Sequence, residues 1–342
     1  MSDIAVEAPG KLYLFGEYGV LAGGWSVVAA VDRRVRASRT GDAGEYRVRG
    51  AEAGGAGLVE AVLKAVEAET GRQWRPGHFE TDASALYDAG TKLGLGSSAA
   101  SCVALTVAAM VEAPEALEDD ETRDQIFEVA ERAHRAFQGG RGSGGGVAAS
   151  IFGGVSGFRR RRPTSMFAGQ RIEAGDGAVP ERRILEEFEI ASLSLPAAIA
   201  VRPVWLGAKA STTSFLGTLK RQLQLKPGEV YQRLRQTAEV ARDAIAACRD
   251  DDADAFLEAV RDGEEAMASL GRTLDVSILT ERHARLHNAA EARDIAVKPS
   301  GAGGGDFSLA VGTEETDWQA LEAALPAGLR MMEMGLGAEG VF

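Results

Sequence analysis

The chain has 342 residues, 45% of them apolar, which is enough for two domains with separate cores. Its 38 Lys and Arg stand against 50 Asp and Glu, and the resulting net charge of −12 excludes nucleic acid and an anionic membrane as partners of the chain as a whole. Cys102 and Cys248 are too few and too far apart for a disulfide framework or a metal cluster, and the acidic Asp3 and Glu7 with an apolar run of only Cys102 to Val111 predict a cytoplasmic protein without a membrane span.

In chain order, KLYLFGEYGVLAGG (11–24) and SVVAAVDRRVRASR (26–39) mix β-branched and aromatic residues with glycine breaks and predict strands. Residues 57–69 have apolar positions at helical spacing. So do residues 121–137, where Ile126, Val129, Ala130, Ala133 and Phe137 share a face, with a stop expected at Gly139. Between them GLGSSAASCVALTVAAMV (94–111) is apolar almost all round after its Ser pair and predicts a helix buried on most sides. Residues 157–183 turn polar and basic and mark the expected domain boundary; Arg159 to Arg162 read there as a solvated charged face, with attraction of anions as the alternative. AAIAVRPVW (197–205) predicts a strand, 230–248 a helix with Tyr231, Leu234, Ala238, Ala241 and Ile245 on one stripe, and 252–270 and 276–293 two more helices. From Asp294 the order is strand, glycine loop, strand, helix, strand, which suits a split βαβ, ferredoxin-like unit.

Three short stretches can carry chemistry. In KLGLGSSAAS (92–101), Gly94 and Gly96 let the backbone approach a ligand while Ser97 and Ser98 open a helix whose N–H groups and dipole favour phosphate, and a Ser hydroxyl there can ligate Mg²⁺. A Ser N-cap on a buried helix is the plain alternative. KPSGAGGGD (298–306) places four glycines and a Ser between strands, where they weaken the sheet unless something approaches the backbone; a flexible hairpin is the alternative. APGKLYLFGEYGV (8–20) carries Lys11 after a Pro-Gly turn, a position at which a lysine is usually solvated.

Together, and in this order, these stretches resemble the GHMP kinase family, whose members share a PGK-type motif with a following GE pair, a GLGSSAA phosphate loop and a C-terminal GAGGG loop. The resemblance implies a two-domain α+β fold, with an N-terminal ribosomal-protein-S5-domain-2-like domain over residues 1–185 and a ferredoxin-like domain over 186–342. It implies ATP and Mg²⁺ as cofactors, phosphoryl transfer to a small metabolite, and a monomer or homodimer. By that resemblance Lys11 lies near the transferred phosphoryl group, where an ammonium neutralises developing charge. Gly94, Leu95, Gly96, Ser97, Ser98 and Ala99, together with Glu17, would hold the nucleotide, with Ser98 on the metal. Arg141, Ser143 and Gly144, then Lys209, Ser211 and Thr212, and finally Ser300, Gly301, Ala302 and Gly303 would hold the acceptor.

Within the family, GEYGV (16–20), AHRAFQGGRGSGGGVAAS (133–150), VWLGAKASTTSF (204–215) and the Asp306 that closes the last glycine loop resemble the branch whose acceptor is itself a phosphate ester. Two rival readings are a kinase of a small alcohol and a catalytically silent relative that binds a metabolite. One departure stands out: the family pattern GSGxDVAA has an Asp where this chain has Gly146. An alcohol acceptor would miss such a base, a contribution of roughly 10²–10⁴-fold. A phosphate acceptor, with a second pKa of about 6, is already mostly deprotonated at neutral pH.

Overall fold

The computed structural model describes residues 4–40, 44–49, 55–167, 170–172, 179, 182–208 and 212–342. By its contacts the chain forms two compact units, one of residues 1–12, 29–154 and 335–342, the other of 13–28 and 155–334. The expected division at residue 185 is linear. The units are not, because the first two strands each pass from one unit into the other, so no single cut in the sequence separates them.

The first unit is built from β1 (Ile4–Phe15) and β2 (Trp25–Arg39), which run on into the second unit, then β3 (Arg47–Arg49), α1 (Gly55–Thr70), β4 (Phe79–Asp82), the short pair β5 (Tyr87–Asp88) and β6 (Thr91–Lys92), α2 (Ser97–Met110), α3 (Asp120–Phe137) and α4 (Gly145–Phe152). Its strands lie in the order β3-β4-β2, with β1 on β2. The near-continuous burial of Trp25 to Val31 marks a strand covered on both faces. Helix α2 is buried almost all round, as its sequence requires, and packs on α1, α3 and α4. Helix α3 starts at Asp119, whose carboxylate accepts from the Thr122 N–H at 2.8 Å. Its expected stripe holds except at the end: Phe137 is 40% exposed, and the buried residue of the last turn is His134.

The second unit carries β7 (Val155–Arg160), β8 (Arg182–Ile184) and β9 (Phe188–Leu193), in the order β7-β9-β8. There follow β10 (Ile199–Trp205), α5 (Thr212–Leu225), α6 (Pro227–Asp250), α7 (Ala253–Leu274), α8 (Glu281–Glu291), β11 (Ala296–Pro299), β12 (Phe307–Thr313), α9 (Trp318–Ala324) and β13 (Arg330–Met331). The antiparallel order β11-β12-β10-β13 is the ferredoxin-like arrangement expected from the element order. Val204, Leu286, Val297, Ala310 and Leu321 fill the core on one face of this sheet. Among the described residues no helix is long and apolar enough to cross a membrane.

The arginine run corrects its expectation. Arg159 and Arg160 sit in β7, 3% and 2% exposed, and only Arg161 and Arg162 reach solvent. Arg159 donates to Glu189 Oε1 at 2.7 Å and lies over the Trp25 ring, while Arg160 pairs with Glu187 at 3.3 Å. The basic run is half of a buried ion-pair set, so its charge is spent on the fold and not on a ligand. Glu189→Ala, which removes the buried carboxylate beside the Arg159 guanidinium, is expected to destabilise the chain by about 3–5 kcal/mol in urea unfolding. A change under about 1 kcal/mol would mean that the pair is screened as a surface pair is.

Candidate active site

In the first unit, three glycine positions bring separate segments against Lys11. The Lys11 N–H donates to the Leu95 carbonyl at 2.8 Å, and a Cβ on Gly10 would stand 2.7 Å from that same oxygen. Gly96 has φ +77°, and a Cβ there would meet Lys11 Cγ at 2.8 Å and Cε at 3.0 Å. The lysine stem therefore lies directly over the residue that opens α2. A Cβ on Gly146 would also approach this stem, standing 3.6 Å from Lys11 Cγ and 3.2 Å from the Ala99 methyl. Ser150 in α4 donates to Pro9 O at 2.7 Å and to Gly146 O at 3.0 Å, which ties this helix to β1.

Two helix N-termini thus flank one lysine. Gly96 is the N-cap of α2 and Gly144 the N-cap of α4, both with positive φ and neither end capped by a side chain. The Ser pair is accordingly not the cap that the plain alternative supposed. Ser97 is buried, Ser98 half-buried, and both lie in the first turn, where the N–H groups and the helix dipole favour an anion. Leu95 is fully buried and contributes its carbonyl to β1. Ser143 is half-buried just ahead of Gly144, and Arg141 is exposed with its Nε on Gln138 O. A nearby residue escaped the sequence reading: His134 of α3 is 8% exposed, with Nε2 3.1 Å from Ser98 Oγ. Burial, with Lys92 adding to it, pulls its pKa down to about 4, so the ring is neutral at physiological pH. The signal was the pair His134 and Gln138, one turn apart on α3, within a segment whose value lay in its resemblance alone.

The donor set suits Mg²⁺ bound through nucleotide phosphates. Among the described residues no cluster of three or more His, Cys, Asp or Glu side chains could hold a metal by itself, whereas a half-buried Ser hydroxyl at an uncapped helix start offers one hard oxygen beside a phosphate site.

The second unit holds the other glycine loop, tied to the segment 13–18 at three points. Ser300 Oγ donates to Tyr13 O at 2.8 Å, the Tyr18 hydroxyl donates to Ala302 O at 2.7 Å, and Lys298 Nζ bonds Glu17 Oε1 at 2.6 Å. The Lys298 and Glu17 side chains are 1% and 3% exposed, so this is a buried pair, and burial together with the Glu17 charge pushes the Tyr18 hydroxyl pKa upward. Glu17, expected at the nucleotide, has its carboxylate engaged by Lys298. Gly301 and Gly303 have positive φ, and a Cβ on Gly303 would collide with Ile278, whose carbonyl accepts from Gly304 N–H. The Ile278 segment also borders a cavity of about 470 Å³ lined by Gly271, Arg272, Asp275 and Ser277. Of the remaining acceptor candidates, Lys209 and Ser211 lie outside the described residues, and Thr212 opens α5.

Residues 54–154 match the GHMP kinases N terminal domain. The chain is 28% identical to a phosphomevalonate kinase of Streptomyces sp. (strain CL190), over 90% of this chain and 89% of that one. It is 33% identical to a mevalonate kinase of Aeropyrum pernix, over 45% of this chain and 50% of the relative. The solved structure of Streptococcus pneumoniae phosphomevalonate kinase in complex with phosphomevalonate and AMPPNP superposes with a TM-score of 0.74 at 18% identity, covering 97% of this chain and 99% of that one, a likeness of fold. The match to the GHMP kinases N terminal domain covers the segment that carries α1 to α4.

Gly96 supplies the test of this geometry. Gly96→Ala sets a methyl against Lys11 at a backbone conformation that alanine disfavours by roughly 1–2 kcal/mol. Urea unfolding should show that loss or a larger one, and AMPPNP affinity measured by calorimetry should fall by about tenfold or more. Unchanged affinity would remove Gly96 from the phosphate site.

Proposed function

We propose that the protein transfers the γ-phosphoryl group of ATP to the phosphate of 5-phosphomevalonate, giving mevalonate 5-diphosphate and ADP. The observation that carries this reading is Lys11 held between two uncapped helix N-termini with a glycine, not a carboxylate, on its open flank. The Streptomyces relative, alike over nearly the whole chain, supports the choice of acceptor.

The chemistry asks for little beyond charge and position, because the transferred phosphoryl group passes through a loose transition state. The N–H groups opening α2 hold nucleotide phosphate, and Mg²⁺, when bound with the nucleotide, neutralises phosphate charge beside the Ser98 hydroxyl. Lys11 and the α4 N-terminus face the oxygens on which negative charge accumulates, so they bind the transition state better than the ground state. The acceptor brings its own nucleophile: a phosphomonoester with a second pKa of about 6 is largely dianionic at pH 7.5 and requires no base. An alcohol would require one, and the family's position for it is empty in this chain. Arg141, Ser143 and Gly144, the segment Lys209 to Thr212, and Ser300 to Gly303 are assigned to acceptor binding on the family pattern. The backbone of Gly301 to Gly303 suits that task better than the Ser300 hydroxyl, which is already donated to Tyr13 O. On this reading the chain is a metabolite kinase with ATP, Mg²⁺ and a phosphorylated small molecule as partners, acting in the cytoplasm.

The direct test is a coupled ADP-release assay of the purified chain. Phosphomevalonate is expected to give a kcat/KM at least about tenfold above that of mevalonate. A preference for mevalonate would reassign the chain to the alcohol kinases, and no turnover with either would favour the silent metabolite-binding reading.

A second test restores the missing carboxylate. Gly146 lies in α4 with an ordinary helical backbone, so Gly146→Asp meets no conformational strain beyond a shift of a few tenths of an ångström at Ala99. The new carboxylate would stand beside the Lys11 stem, pairing with its ammonium and repelling the acceptor dianion. Phosphomevalonate kcat/KM should fall by about threefold to tenfold in a variant with an unchanged thermal melt. A tenfold gain would show instead that the native loop has lost a needed catalytic group.

A further inference from the structure

Helix α3 presents two polar side chains, one turn apart, towards the first turn of α2. His134 Nε2 lies 3.1 Å from Ser98 Oγ and 3.1 Å from Gln138 Nε2. With the Gln138 amide nitrogen turned to the ring, Nε2 is the accepting nitrogen and the ring proton sits on Nδ1. Ser98 Oγ can then do only one thing with that nitrogen, which is to give it the hydroxyl proton.

A serine hydroxyl has one proton and two lone pairs. With its proton committed to α3, both lone pairs remain for other partners. We infer that His134 is a positioning residue which fixes the Ser98 hydroxyl as a donor towards α3, so that its oxygen presents lone pairs to the cation that accompanies the nucleotide phosphates. The inference rests on the nucleotide-binding role proposed for the α2 N-terminus. It also accounts for an imidazole in a place where packing alone would favour an apolar side chain: α2 is apolar nearly all round, and a polar group buried against it is unfavourable unless it is hydrogen-bonded. Gln138 extends the link towards the next loop, since a Cβ on Gly142 would stand 2.8 Å from its Oε1.

Calorimetric titration of the full chain with AMPPNP, once with excess Mg²⁺ and once with EDTA, tests this without turnover. Wild type is expected to bind the magnesium complex more tightly than the free nucleotide. His134→Leu should lose about tenfold in affinity for Mg·AMPPNP while free AMPPNP changes by less than about twofold. His134→Gln, whose side-chain oxygen reaches about where Nε2 stood, should keep the magnesium-complex affinity to within about threefold. If His134→Leu fails to fold, His134→Asn takes its place, because its shorter side chain reaches only the Nδ1 position, and the same selective loss is expected. Equal losses with and without metal, no loss in either, or a Gln variant no better than Leu would each overturn the positioning role. Wild-type protein that binds AMPPNP under neither condition would instead overturn the nucleotide reading, and this role with it.

Discussion

The close approach of β1 to the turn before α2 is the constraint from which the rest of the first unit follows. Gly10 and Lys11 lie against the Leu95 carbonyl, and the Lys11 stem crosses Gly96 at a distance that leaves no room for a Cβ. That contact fixes a cation beside the positive end of a buried helix, an arrangement that is unfavourable for the empty protein and favourable once an anion arrives. Glycine is required at residue 96 twice over, by its positive φ and by the lysine above it. A turn packed in this way cannot drift by single substitutions without losing the lysine contact, the turn, or both.

The second unit solves a different problem with a similar loop. The Lys298 to Asp306 loop cannot hold itself, since its glycines have little conformational preference. Its order comes from outside: Ser300 and Ala302 are tied to the 13–18 segment, and Lys298 closes a pair with Glu17 at 2.6 Å, both side chains almost fully buried. Burying two charges is unfavourable in itself, so such a pair is weak evidence for stability and better evidence for register. Here it sets Pro299 and the glycines that follow at a fixed place along β1's continuation. The consequence for Glu17 is that its influence on any ligand passes through the placement of the loop.

The parts legible in the sequence were those where one residue type has few structural uses. Glycines at 94, 96, 301 and 303–305, a Ser pair opening an apolar helix, and a lysine after Pro-Gly marked one loop suited to an anion and a second whose backbone a ligand can approach, and the strand, helix and loop order from Asp294 announced the ferredoxin-like sheet. What stayed hidden depended on partners far away in sequence. The arginine run read as a solvated face because nothing local says that Glu189 and Glu187 will stand beside it across β9. Phe137 read as core because helical spacing continues to the last turn, whereas the helix end runs out of neighbours there and His134 takes the buried place. A histidine in an amphipathic helix has no pattern of its own; its meaning came from the hydroxyl on the facing helix.

The glycine at 146 joins these threads into a statement about acceptor chemistry. A Cβ there would point at the Lys11 stem, so the family position for a carboxylate is a place where lysine charge and acceptor charge are balanced against each other. For an alcohol, a carboxylate at that place supplies a base and leaves the site near neutral. For a phosphate dianion the same carboxylate would cancel part of the lysine field that draws the acceptor in and stabilises the shared oxygens. Glycine at 146 adds no negative charge beside Lys11 and carries no conformational penalty, because residue 146 has an ordinary helical backbone. On the proposed function, a glycine at 146 and the glycines that open the phosphate loop are thus two sides of one electrostatic choice, in which the acceptor arrives already ionised and the protein supplies positive charge and geometry.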